Sequence, residues 1–261
     1  MSEVPTGVPI ELTDGAKNFF DLSWPLDDST IFWPGGEGFQ LCMQCCSCSD
    51  DRNNSRYDYA AGVITCAEHG GTHVDACFHF CADGKTVEQI PVKTLIAKLK
   101  IIDVIDKVIA DRNYAVTVED IQLFENNYGK LNQNDIVLIR TAFCNRYQLG
   151  AKEYLGFDEK IDGEYDTNTS TLSFPGISMS AAEYFVHCRV AAVGLDTASL
   201  DPGNNKYFDA HRVLLSNDVY GIENVNDQIL ALPCTGANII VAPLKITGGS
   251  GSPARIFAYY S

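Results

Sequence analysis

The chain has 261 residues, 46% hydrophobic and 20% charged, ample for a full core and at the upper end for one domain. Its 34 acidic against 19 basic side chains give a formal charge of −15, a balance that repels phosphate backbones and anionic lipid surfaces and argues against nucleic acid as a partner. No stretch approaches the roughly 20 apolar residues of a membrane span, and the opening MSEVPTGVPIELTDG has no basic segment followed by an apolar one, so a soluble, cytoplasmic protein is expected.

In chain order, Asp21-Leu22-Ser23-Trp24-Pro25-Leu26 reads as a first strand closed by proline, and Phe32-Trp33-Pro34-Gly35-Gly36 as an aromatic loop ending in a turn. Phe39-Gln40-Leu41-Cys42-Met43 reads as strand and leads into Cys45, Cys46 and Cys48. This cysteine cluster contains two overlapping C-x-x-C spacings, which suit zinc or an iron–sulfur cluster. It has no second pair at a zinc-finger distance, and on a strand a cysteine behaves as a small buried apolar residue. Chains of this length can build a core without disulfides, so the ten thiols are read as reduced.

Residues 99–105 and 135–140 are β-branched runs of core-strand length. Between them Thr117-Val118-Glu119-Asp120 resembles a capping box opening a helix, with Ile121, Phe124 and Tyr128 on one face. The acidic residues 157–171 show no periodicity and read as an exposed insertion. A second helix is expected from Ser178 or Ser180 to Cys188, with His187 an ordinary member of its apolar run, and a strand over 191–195. Strands at 238–244 and 254–259 close the chain, joined by the loop Gly248-Gly249-Ser250-Gly251-Ser252. The sum is a mixed α/β, strand-rich single domain spanning 1–261.

Four of the five histidines form one constellation: His69, His73 and His79 lie with Asp75 in EHGGTHVDACFHF, and His211 precedes Glu223 by twelve residues. Gly70-Gly71 makes a helix between His69 and His73 costly, at roughly 1 kcal/mol per glycine relative to alanine, so a tight turn is expected. If the chain leaves that turn extended, His73, Asp75, Cys77 and His79 project to one face and Val74, Ala76 and Phe78 to the other. Two imidazoles and a carboxylate converging on one spot suit Zn²⁺ or Mn²⁺, with positions open for water and substrate. Any one of these histidines alone would read as core or surface; three with an aspartate, pointing the same way, would not. The spacing of His211 and Glu223 alone carries little.

The run from His69 to His79 resembles the H-x-G-T-H-x-D-x-P-x-H signature of the cyclase-type metal-dependent hydrolases, the family of bacterial kynurenine formamidases and isatin hydrolases. Trp33-Pro34-Gly35, Pro175-Gly176-Ile177-Ser178, Val193-Gly194-Leu195-Asp196-Thr197 and Gly251-Ser252-Pro253-Ala254-Arg255 are similar to family segments as well. The resemblance implies a compact β/β/α cyclase-like (swivelling-domain) fold, a homodimer, and one or two divalent ions, Mn²⁺ or Zn²⁺. It also implies hydrolysis of the C–N bond of a small aryl amide or lactam by metal-activated water. His69, His73 and Asp75 are then assigned to a first ion, with Asp75 bridging to a second held by His211 and Glu223, a late pair the family supplies at this spacing. His79 becomes the catalytic proton carrier. An aryl amine leaves readily, which suits isatin or N-formylkynurenine, and Phe32, Trp33 and Phe39 are candidates for the pocket walls.

Thr72 and Phe80 lean toward the isatin-hydrolase side; an arylformamidase and a catalytically silent metal-binding relative are the alternatives. One departure stands out: Cys77 replaces the signature proline, removing a rigid element from the loop that aims His79 and placing a thiol on the expected ligand face.

Overall fold

The computed structural model describes residues 18–50, 55–156 and 172–260, with side chains described for 18–44, 58–156 and 172–260. The acidic run 157–171 and the side chains of Cys45, Cys46 and Cys48 lie outside the described residues. Strand β1 (Asn18–Asp21) leads to a long hairpin, β2 (Gln40–Asp50) and β3 (Ser55–Thr65), and then to the short β4 (His73–Asp75). There follow β5 (Ile96–Asp103), α1 (Ile105–Ala110), β6 (Ala115–Val116), α2 (Val118–Tyr128), β7 (Ile136–Arg140), α3 (Ala151–Leu155) and β8 (Gly176–Ile177). The remainder is α4 (Met179–Cys188), β9 (Ala192–Leu195), α5 (Asp209–Leu215), β10 (Tyr220–Glu223), β11 (Asn238–Pro243) and β12 (Gly251–Tyr260).

Seven strands close into a barrel. β5, β7, β9 and β10 run parallel in that order, β10 pairs antiparallel with β4, and β4 pairs with the first residues of β12. From there β12 pairs antiparallel with β11, and β11 with β5, which completes the ring; β1 lies on the outer flank of β12. The alternation along β7 shows why the strand is apolar throughout: Ile136 and Leu138 join one buried cluster with Val74, Ile222 and Ile256, while Val137 and Ile139 join a second with Ile121, Phe124 and Phe185. A strand covered on both faces needs no polar alternation.

Both expected helices form. Asp120 returns to the N–H of Thr117 at 2.8 Å at the start of α2, and Ser178 Oγ accepts from the N–H of Ala181 at 3.2 Å at the start of α4. Ile121 and Phe124 are buried, but Tyr128, one turn on, is exposed, its ring 5.3 Å from that of Phe124.

Three local expectations are corrected. The first strand ends at Asp21; Leu22 N–H still donates to Ile256 O of β12 (2.9 Å), and the chain then turns away, with Trp24 N–H donating to Thr72 Oγ1 (2.9 Å) instead of to a strand partner. Ile105 begins a helix rather than ending β5. The cysteine-bearing strand does form, but β2 and β3 make their own two-stranded sheet, so Cys42 is exposed rather than packed.

Candidate metal centre

The glycine pair after His69 does turn the chain. Gly71 has φ of +55°, and a Cβ on Gly70 would lie 2.0 Å from Cδ1 of Phe32, so only glycine fits beneath that ring. The chain then enters β4, which places His73 and Asp75 on one face and Val74 in the core behind them. On β10, Gly221 is the register partner of Asp75 and Glu223 that of His73. Glycine at 221 leaves room for the carboxylate: a Cβ there would stand 3.0 Å from Asp75 Oδ2. α5 brings His211 to the same spot.

The polar atoms converge. Nε2 of His73 lies 3.3 Å from Asp75 Oδ1 and 3.4 Å from Glu223 Oε2. Nε2 of His211 lies 3.1 Å from Glu223 Oε1 and 3.4 Å from Asp75 Oδ2, and Nδ1 of His69 lies 2.6 Å from Asp75 Oδ1. His73, Asp75, His211 and Glu223 are all buried, yet His73 Nε2 and Asp75 Oδ2 have no hydrogen-bond partner. Orphaned buried polar atoms are rare and expensive, and here two of them lie within one cluster of N and O donors. The residues fit a divalent cation.

Charge supports the same reading. Burial alone would depress His73, but the close approach of Asp75 and the charges of Asp75 and Glu223 prevail and raise it to about 9. Burial works likewise against His211, and Asp201, Asp75 and Glu223 raise it well above its ordinary value. Asp75 is held well below the carboxylate range despite burial by His211, His69 and His73, whereas burial and the neighbouring Asp75 push Glu223 up. The buried carboxylates thus favour positive charge beside them, a balance that a divalent cation held among the same donors would satisfy.

The ligand groupings differ in part from the expected division. His73, Asp75 and Glu223 have donor atoms within 4.8 Å of one another, and so do His69, Asp75 and His79. Glu223 therefore stands 3.4 Å from His73 Nε2 as well as 3.1 Å from His211 Nε2, and His79 stands beside His69, their rings stacked at 3.9 Å.

His79 arrives by a route the strand pattern does not foresee. β4 ends at Asp75, Ala76 N–H donates to Ser250 O (2.9 Å), and residues 77–79 form a 3₁₀ turn. Cys77 consequently points away from the centre into a separate cavity shared with Lys85 and Tyr220, where burial first and Asp218 second push its thiol up to about 11. The turn is braced without proline: Phe78 N–H donates to Lys85 O (3.0 Å), His79 N–H to Ala76 O (2.9 Å) and Cys81 N–H to Cys77 O (3.0 Å).

A cavity of about 240 Å³ opens onto the cluster, walled by Phe32, Trp33, Phe80 and Phe208. Phe80 lies 4.7 Å from the His211 ring and 5.3 Å from Phe208. Phe32 and Trp33 thus line the cavity as expected, while Phe39, directly before β2, is not among its lining residues.

Sequence reasoning missed the groups that hold the imidazoles. Asp201 Oδ2 takes Nδ1 of His211 at 2.7 Å and also accepts from the N–H of His211, while its Oδ1 accepts from the N–H of Ala210. His73 Nδ1 donates to Gly71 O (3.0 Å), and Ser250 lies 3.0 Å from Nε2 of His69. The sole signals were an aspartate ten residues before His211 and a serine set between glycines.

The sequence matches the Cyclase family, described as "Putative cyclase", over residues 20–202, and the chain belongs to that family. Among curated relatives it is similar to an isatin hydrolase of Roseibium aggregatum, at 30% identity over 78% of each chain. It is also similar to a kynurenine formamidase of Bacillus cytotoxicus, at 27% identity over 92% of this chain and 96% of the other. Isatin hydrolase A from Ralstonia solanacearum superposes with a TM-score of 0.77 at 27% identity, covering 94% of this chain and 92% of that one. An isatin hydrolase bound to the product analogue thioisatinate does so at 0.77 and 25% identity, covering 92% and 91%.

Proposed function

We propose that this chain, acting as one domain, is a metal-dependent hydrolase that opens the C–N bond of a small aryl amide or lactam of the isatin type. The observation that carries this reading is the pair of orphaned buried atoms, His73 Nε2 and Asp75 Oδ2, beside Glu223 and His211 under an aromatic cavity. His73, Asp75 and Glu223, with His69 and His211 adjoining, are the residues that would hold one or two ions, Mn²⁺ or Zn²⁺. A divalent ion there supplies a water that is nucleophilic near neutral pH and polarises a carbonyl oxygen.

The chain's own residues do the rest. Phe32, Trp33, Phe80 and Phe208 bind the aryl ring and keep bulk water from the reacting carbon. His79 moves the proton: its ring, partly exposed at the cavity and stacked on His69, loses solvation there, and this, against the opposing pull of Asp75 and with the neighbouring imidazoles, pushes it down to about 4, so its ring is neutral at pH 7. It takes the proton of the attacking water as the C–O bond forms, then delivers it to the leaving nitrogen as the C–N bond breaks.

A homodimer fits the exposed apolar hairpin, whose Leu41, Met43, Tyr59, Val63 and Ile64 stand in solvent on β2 and β3; a second copy is the cover we assign to it. Among the described residues no helix is long and apolar enough to cross a membrane, and the seven cysteines described carry free thiols.

The test is absorbance-monitored hydrolysis of isatin and of N-formylkynurenine by metal-loaded protein. Turnover of isatin supports the proposal, and turnover of the formamide alone favours an arylformamidase. Bound metal with no turnover of either, or of related aryl amides, points to a binding protein.

A further inference from the structure

Two glycines bracket Ser250, and each is needed by a different neighbour. A Cβ on Gly249 would lie 2.9 Å from Oε1 of Glu68, and one on Gly251 would lie 2.4 Å from Cε1 of His69 and 2.7 Å from the carbonyl oxygen of Val74. The loop backbone therefore lies flat against Glu68 and His69, and Ser250 touches both. Its N–H and Oγ–H donate to Oε2 of Glu68 at 3.0 and 2.6 Å, and its Oγ lies 3.0 Å from Nε2 of His69.

A serine hydroxyl has one proton to give. With that proton on Glu68, Oγ meets Nε2 with a lone pair, so Nε2 carries a hydrogen and Nδ1 is the nitrogen left to face the centre. Nδ1 stands 2.6 Å from Asp75 Oδ1, so in that tautomer both atoms turn lone pairs to the same spot, where a divalent cation ligated by both would take the place of the proton they otherwise share. His73 and His211 are held the opposite way: Gly71 O and Asp201 engage their Nδ1 atoms and leave Nε2 for the centre.

We propose that Glu68, acting through Ser250, is a positioning residue that fixes His69 in its Nε2–H tautomer and so presents Nδ1, beside Asp75, to the divalent ion. The inference rests on the metal-hydrolase reading above.

Its test uses Zn²⁺-loaded full-length protein with two readouts: long-range ¹H–¹⁵N correlation of the His69 ring, and Zn²⁺ affinity by competition with a chromophoric chelator. Ser250→Ala keeps the backbone bond to Glu68, so the loop stays anchored. Wild type is expected to show the Nε2–H tautomer. Ser250→Ala and Glu68→Ala are expected to show mixed tautomers and Zn²⁺ binding weaker by about 10- to 100-fold. Glu68→Gln, whose amide oxygen still accepts from Ser250, recovers most of what Glu68→Ala loses. Wild-type tautomer and affinity in both alanine variants, or equal losses in Glu68→Gln and Glu68→Ala, would overturn the inference while leaving the metal reading intact. A wild type that binds no Zn²⁺ would overturn both.

Discussion

Glu223 is the register partner of His73: the two sit opposite one another on antiparallel strands β10 and β4, with Oε2 of one 3.4 Å from Nε2 of the other. Cross-strand partners share a face, so the barrel's own hydrogen bonding delivers a carboxylate to an imidazole 150 positions away in sequence. Glu223→Gln keeps the shape and removes the charge. Metal content after dialysis and affinity by chelator competition should both fall, by at least about tenfold, since even groups supporting metal ligands carry that much.

His79 is close enough to His69 and Asp75 to be read as a donor, and the proton-carrier role separates from that one by experiment. His79→Ala should retain its metal and lose about 10²- to 10⁴-fold in kcat on an aryl lactam. Loss of the metal in that variant would make His79 a ligand, and full turnover would end its role altogether.

The Phe32 ring covers Gly70 so closely that any side chain there must push it away. Gly70→Ala should displace one wall of the cavity and raise KM for an aryl substrate by about threefold to tenfold, the worth of one aromatic contact. Metal content should hold. Steady-state kinetics beside metal analysis checks both halves of the expectation.

Far from the site, buried Asp120 accepts from Thr117 N–H (2.8 Å) and Tyr114 Oη (2.7 Å) and pairs with Lys107. Burial would raise its carboxyl, but Lys107, Thr117 and Tyr114 prevail and lower it. A carboxylate depressed in the folded state contributes stability above its unfolded value, about 3.9, and loses it as pH falls through the folded one. Asp120→Ala should therefore destabilise by roughly 1–3 kcal/mol at pH 7, and the gap to wild type should narrow below about pH 4. Urea unfolding at both pH values reads it.

Some of the site is legible in sequence because its geometry is local. His73 and Asp75 stand two apart on a strand, so the two-residue period puts them on one face, and the structure does the same. His79 was placed near them by extending that period, but β4 stops at Asp75 where its partners stop, and a 3₁₀ turn delivers the ring instead. The same early stop sends Cys77 to the opposite side. Contacts set by register or by loop approach leave no periodic trace: Glu223 with His73, Asp201 beneath His211, Ser250 against His69. Residue type alone makes Phe39 as good a pocket-wall candidate as Phe32 and Trp33, and only the fold separates them: the latter two line the cavity and Phe39 does not. For the fold, strands and caps were readable, whereas barrel closure depends on β12 pairing with β4, a contact between residues 251–253 and 73–75.

The central claim is that metal held by this His–Asp–Glu cluster drives amide hydrolysis, and one titration tests it most directly. Chelator-stripped protein is titrated with Mn²⁺ or Zn²⁺ while isatin ring opening is followed, with Asp75→Asn run in parallel. The account predicts a rate that rises from baseline with ion bound, saturates at one or two equivalents, and does not rise in Asp75→Asn. Equal turnover in stripped and loaded protein, or an undiminished rate in Asp75→Asn, would contradict it.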